Sequence, residues 1–310
     1  MWQVVTTLVA TSVIRGSRQG DSHGGVYLID IDRQRVKQTI DWNTATIDWQ
    51  GRGWDRGLRG VAFDDERVFI AASDELFVYT PEFEPITSYR SPYLKHCHEI
   101  FRYKRRLFLT STGFDSILGF DLDENRFSMG LHITRRDHQL AAVLYDPNDT
   151  RGPEAGNDFH LNNVYCDSRG MFISGLRTES LLKYDGRGIE RVAPVPRGAH
   201  NARPYKDGIL FNDSEADVVR FLSADKERIF RIPRYADEQL THSDLDDSRI
   251  ARQAFGRGLC AISDRVIATG SSPSTITLHD LESMKTTKSI NLTMDIRNAI
   301  HGLELWPYSV

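Results

Sequence analysis

Five apolar doublets recur along this chain, in "RVFIAAS", "RLFLTST", "GMFISGL", "GILFNDS" and "RVIATGS". That recurrence constrains the fold more than any other feature. Each doublet strand is preceded by a short strand ("RGVAFDD", "HEIFRYK", "NNVYCDS", "HNARPYK", "RGLCAIS") and followed by another ("DELFVYT", "SILGFDL", "SLLKYDG", "DVVRFLS", "STITLHD"). Asp, Gly, Ser and Asn separate them as turns. A weaker outer strand completes each unit: "PITSYRS", "RFSMGLHI", "IERVAPV", "RIFRIPR" and "KTTKSINL". Four short antiparallel strands at a period of roughly forty residues are the pattern of a propeller blade.

Five units are complete and a sixth is divided between the termini. "VVTTLVATSV", "GGVYLIDID" and "VKQTIDW" supply its later strands, and "HGLELWPY" supplies its innermost one. The prediction is an all-β, six-bladed β-propeller forming a single domain over residues 1–310. It is closed by pairing the C-terminal strand with the N-terminal blade, which removes a free edge. A β-sandwich would need neither circular completion nor so regular a period.

The bulk properties narrow the function classes. A net charge of −4 and a pI near 6.2 give no global electrostatic case for nucleic acid or an anionic membrane. Cys97, Cys166 and Cys260 are an odd set without metal-ligand spacing, which suits a reducing cytoplasm. The N-terminal apolar run reads as a strand, and no window reaches the length of a membrane-spanning helix. The expectation is a cytoplasmic protein.

Aligning the units on the residue nine places before each doublet gives Arg59, His98, Asn162 and His200, then Arg257, with His301 in the closing strand. These six define a ring, one residue per blade, at the starts of the innermost strands, where equivalent side chains face the channel mouth. Three His on alternate blades suggest a metal centre at His98, His200 and His301. Neutral imidazoles suit a divalent transition ion (Zn, Fe or Mn), and three ligands leave positions open for water or substrate. Arg59 and Arg257 would bind a carboxylate or phosphate, and Asn162 would orient water or substrate. The other reading of the ring is a water-filled channel lined with polar side chains.

His96 and His160 lie two residues before ring positions and, by strand alternation, face the same mouth as acid–base candidates or further ligands. By the same alternation Glu99 faces away unless a bulge turns it in. Asp158 is either an imidazole's partner or a solvated loop carboxylate, the latter being expected of both acids. Cys97 reads as a small core residue. His132, His138, His242 and His279 read as solvated. Long segments at 132–158 and 234–254 precede innermost strands and are expected over the channel as lids or binding loops. "GRGWDRGLRG" reads as a loop into the first complete blade, with Trp54 and Arg56 near a ligand.

With these strands and this ring, the chain resembles the six-bladed propellers of the gluconolactonase/senescence-marker-protein, strictosidine-synthase-like and NHL-repeat group. The resemblance implies a divalent cation at the channel mouth, held in gluconolactonase-like proteins by acidic and Asn side chains. Asn162 and Asn201 match such Asn ligands in kind. His and Arg stand where acids would be, which favours a softer ion over calcium and departs from lactone hydrolysis.

The leading expectation is a metal-dependent enzyme, a hydrolase, lyase or isomerase, acting on a small polar or anionic substrate. One alternative is a non-catalytic propeller that binds a protein, peptide or glycan on the same face, with Trp54, Tyr93 and Tyr145 as rim aromatics. Another is a His-ligated iron oxygenase or redox enzyme.

Overall fold

A computed structural model of the protein describes residues 6–18, 20–43, 57–137, 139–243 and 252–309. It is a six-bladed β-propeller. β1 (Thr7–Ile14), β2 (Gly25–Asp30) and β3 (Arg35–Asp41) form the first blade together with the last strand, β25 (Asn298–Leu305), in the order β25-β1-β2-β3. The closure runs antiparallel from Leu8↔Leu305 to Ile14↔Asn298. Blade two runs from β4 (Val61–Asp64) to β7 (Pro85–Tyr89), and blade three from β8 (Ile100–Tyr103) to β12 (Gln139–Tyr145). Blade four runs from β13 (Leu161–Asp167) to β16 (Ile189–Pro194), and blade five from β17 (Ala199–Tyr205) to β20 (Glu227–Arg231). Blade six runs from β21 (Arg257–Ala261) to β24 (Lys285–Asn291).

The doublet residues form the core between blades. Phe69, Leu107 and Leu109 pack with Leu118 and Phe120 between blades two and three, and Leu8, Ala268 and Ile300 pack where blade six meets the closing blade. Among the described residues no helix is long and apolar enough to cross a membrane.

Three expectations are corrected here. Much of 132–158 is not a lid: β11 (Arg126–Arg136) overruns the usual blade length and turns back as β12, a fifth strand at the outer edge of blade three. Tyr93 and Tyr145 are not rim aromatics. Tyr93 is buried, Tyr145 is half-buried, and their rings lie 5.1 Å apart against the core. His279 is not solvated. It is fully buried, stacks on Phe230 at 4.7 Å and bonds to Thr269, Thr277 and Thr286. Burial pushes its imidazole down to about 4. Trp54, Arg56, His138 and most of 244–254 lie outside the described residues.

Candidate functional site

The six ring positions converge on the propeller axis, and all six are buried. Side chains fill the axis and leave a cavity of about 10 Å³, lined by His98, Glu99, Asn162, His200, Asn201, Arg257 and His301. That is about the room of one water.

A β-bulge at every ring position explains this convergence. Between Ala10 and Ser12 the β1–β25 register slips at His301–Gly302. β13 slips between Leu161 and Asn163, β17 between His200 and Arg203, and β21 between Arg257 and Leu259. In blade two Arg59 N–H and Gly60 C=O both bond to Ala71. In blade three the amides of His98 and Glu99 both donate to Thr110 Oγ1, each at 3.0 Å. A bulge sets two residues opposite one and sends consecutive side chains the same way. So Glu99 turns into the cavity beside His98, and the expectation that alternation points it away fails.

The sequence carries a signal for this that the ring alignment leaves unused. The residues after the ring positions are Gly60, Glu99, Asn163, Asn201, Gly258 and Gly302. Gly and Asn tolerate the left-handed backbone that bulges use, and Gly258 and Asn201 adopt it, with φ of 72° and 55°. Glu99 is the exception. Gly60 makes room for its carboxyl: a Cβ there would lie 2.8 Å from Glu99 Oε1.

His98 and His200 are held by the same device. His98 Nδ1–H donates to the His96 carbonyl at 2.8 Å and to Thr112 Oγ1 at 2.9 Å, and the Thr112 hydroxyl donates to Leu161 C=O in the next blade. His200 Nδ1–H donates to the Gly198 carbonyl at 3.0 Å and to Ser214 Oγ at 2.9 Å, and Ser214 donates to Gly256 C=O. A carbonyl can only accept, so the proton sits on Nδ1 and Nε2 carries a lone pair. Among the described residues His200 Nε2 and Asn162 Oδ1 have no hydrogen-bond partner. Asn162 spends its Nδ2 on the Ala199 carbonyl at 2.9 Å.

The imidazoles are neutral. Burial, reinforced by the Arg59 and Arg257 guanidiniums, holds His98 far below the usual imidazole range. Burial and then Arg257 do the same to His200 and His301. His160, half-buried with its ring 5.2 Å from that of His98, is pushed down to about 3, chiefly by burial and then by Arg257 and Arg177. Glu99 goes the other way. Burial, with Glu304 nearby, pushes it up to about 8 although Asn201 Nδ2 donates to its Oε2 at 3.0 Å. Asn212 Nδ2 in turn donates to Asn201 Oδ1 at 3.0 Å. The Glu99–Asn201 bond joins blades three and five across the axis.

The structure brings together His98, His160, His200, His301, Arg257, Arg59 and Asn162. His96 stands slightly apart, half-buried, 3.3 Å from Ser73 Oγ in blade two. Asp158 is an exposed loop residue. Cys97 lies in the core with its thiol pushed up to about 12 by burial. Sequence reasoning missed Phe255, which touches the His200 ring at 5.5 Å and lies 4.5 Å from the Arg257 guanidinium. Arg15 and Arg252 each lie 5.0 Å from the same phenyl ring.

A metal ion fits this arrangement poorly. The rings of His98 and His301 are 6.1 Å apart, and Arg257 Nη1 donates to His301 Nε2 at 3.2 Å. Among the described residues no three His, Cys, Asp or Glu side chains converge to hold an ion. Two guanidiniums at the ring add repulsion for a cation and attraction for an anion.

No protein-family model matches the chain, and no curated protein matches it by sequence. Solved structures do share its fold. A propeller in a nidogen/laminin complex is 11% identical over 97% of this chain and 98% of that one, with a TM-score of 0.61. A Bacteroides caccae protein of unknown function is 11% identical over 98% and 100%, with a TM-score of 0.58. Virginiamycin B lyase from Staphylococcus aureus is 8% identical over 96% and 99%, with a TM-score of 0.51. At such identities the likeness establishes the propeller and nothing of its chemistry.

Proposed function

We propose that the protein is an enzyme that takes a proton from a small organic anion, in an elimination or isomerisation. The observation that supports this most is His200: a buried, neutral imidazole whose Nε2 has no partner among the described residues, lining the cavity it shares with Arg257. A base of this kind suits proton abstraction beside a carboxylate, whose developing negative charge a guanidinium stabilises. Arg257, which lines the cavity, holds the anion, and buried Arg59 behind it adds positive charge. The cavity admits only the reacting atom, so the rest of the substrate lies towards Phe255. In an elimination His200 Nε2 takes the C–H proton, its electron pair becomes the new double bond, and the leaving group departs with the proton of Glu99. A lyase among the proteins of this fold is compatible with this reading, at the level of fold alone. The chemistry runs through imidazole, guanidinium and carboxyl groups, and metal content is left to measurement.

The test is to incubate the protein in D₂O with a panel of small hydroxy-, keto- and dicarboxylates and follow C–H exchange and product formation by NMR. His200→Asn should lower the rate by about 10² to 10⁴ while anion binding, read by calorimetry, survives. No exchange or turnover with any anion the protein binds would refute the reading, as would an unchanged rate in the variant. Turnover that tracks one equivalent of a bound metal would replace it with the metal-dependent reaction.

A further inference from the structure

β12 differs from every other outermost strand. Those of the other five blades read "RVKQTID", "PITSY", "IERVAP", "ERIFR" and "KTTKSIN". Each carries charges or a proline, the usual guards against edge-to-edge pairing. β12 reads "QLAAVLY", with neither. Among the described residues it pairs only with β11, and Leu144 is 59% exposed. It is also the added fifth strand, so the blade is complete without it.

The register says which backbone groups are free. The β11–β12 ladder closes at Arg136↔Gln139, a hydrogen-bonded pair at a tight hairpin end, and bonded and non-bonded pairs then alternate. The N–H and C=O groups of Leu140, Ala142 and Leu144 therefore point away from β11.

We propose that β12 is a self-pairing edge, through which two copies of the chain join antiparallel about a two-fold axis at Ala142. Ala142 then pairs with its own copy, and Leu140 with Leu144 of the partner subunit, in about six inter-strand hydrogen bonds. The arrangement is isologous, so it closes at two subunits. Charge selects this direction over a parallel one. Antiparallel pairing sends the two exposed Asp146 carboxylates to opposite ends of the pair, where a parallel in-register pair would stack them on each other. The two sheets would continue as one across the pair.

Sedimentation velocity on the full chain from about 1 to about 100 µM should show a concentration-dependent monomer–dimer equilibrium. Ala142→Pro removes an outward N–H that β11 does not use, and Leu144→Lys puts a charge on the pairing edge. Each should weaken dimerisation at least tenfold, and Leu144→Lys keeps the test open if the proline variant misfolds. Amide exchange at Leu140, Ala142 and Leu144 should slow at the high concentration only. A monomer throughout the range would overturn the proposal, as would a dimer that both variants leave unchanged.

Discussion

Glu99→Gln tests whether burial keeps a proton on the carboxyl under the imidazoles. The side chain is ordinarily acidic near 4.5 and stands at about 8 in the fold. Between those values the folded state holds a proton that the unfolded chain has lost, so the native side chain loses stability as pH rises and then levels off above about 8. The buried histidines act in the opposite sense: their folded values are depressed, so they cost stability only below the ordinary imidazole value of 6.5. In the window from pH 6.5 to about 8 the histidines therefore add no slope, and comparing the variant with the native protein sets aside Glu304, which burial also raises. At about 1.4 kcal/mol per pH unit the native penalty grows by about 2 kcal/mol across that window. Partial solvent contact makes that a ceiling. Gln cannot ionise; its amide oxygen still accepts from Asn201 Nδ2, and its NH2 then faces the Ile100 amide, which costs about 1 kcal/mol at every pH. Urea unfolding of both proteins from pH 5 to 9 should show the variant gaining on the native protein by about 1–2 kcal/mol between pH 6.5 and 8, with no further gain above. A difference that stays constant across the range would mean Glu99 is ionised in the fold and would refute the reasoning.

Three further outcomes are expected. Nitrogen-15 NMR should find His98 and His200 as neutral Nδ1–H tautomers at pH 6.5, and a proton on Nε2 of either would remove it as a base. Thr112→Val deletes the hydroxyl that joins His98 to Leu161 of the next blade and should cost about 1–3 kcal/mol in urea unfolding; a loss below about 0.5 kcal/mol would show that the bridge does not hold the imidazole. Ellman's reagent should leave Cys97, Cys166 and Cys260 unlabelled in the native protein at pH 8 and label all three in guanidinium. Rapid native labelling would contradict their burial.

The sequence by itself determined the six blades, their circular closure and the ring from Arg59 to His301. Those features rest on local rules: turn residues end strands, apolar doublets bury the sheet faces, and equivalent positions in repeats take equivalent places. It also placed Cys97 in the core. Strand alternation, read strictly, sent Glu99 outward, because a bulge depends on which cross-strand group two consecutive amides share, and Thr110 decides that from another strand. The hairpin that adds β12 was hidden for a related reason: an apolar run after a complete blade reads as a loop until a partner strand is known. Burial of His279 and neutrality of the ring imidazoles follow from how closely the blades approach the axis and one another. Desolvation is set by that three-dimensional approach and leaves no mark in the order of residues. So the chain spells out where the ring is, and only the closed propeller turns it into a tight, cation-flanked cavity with the Glu99 carboxyl pushed up by burial beside the ring imidazoles.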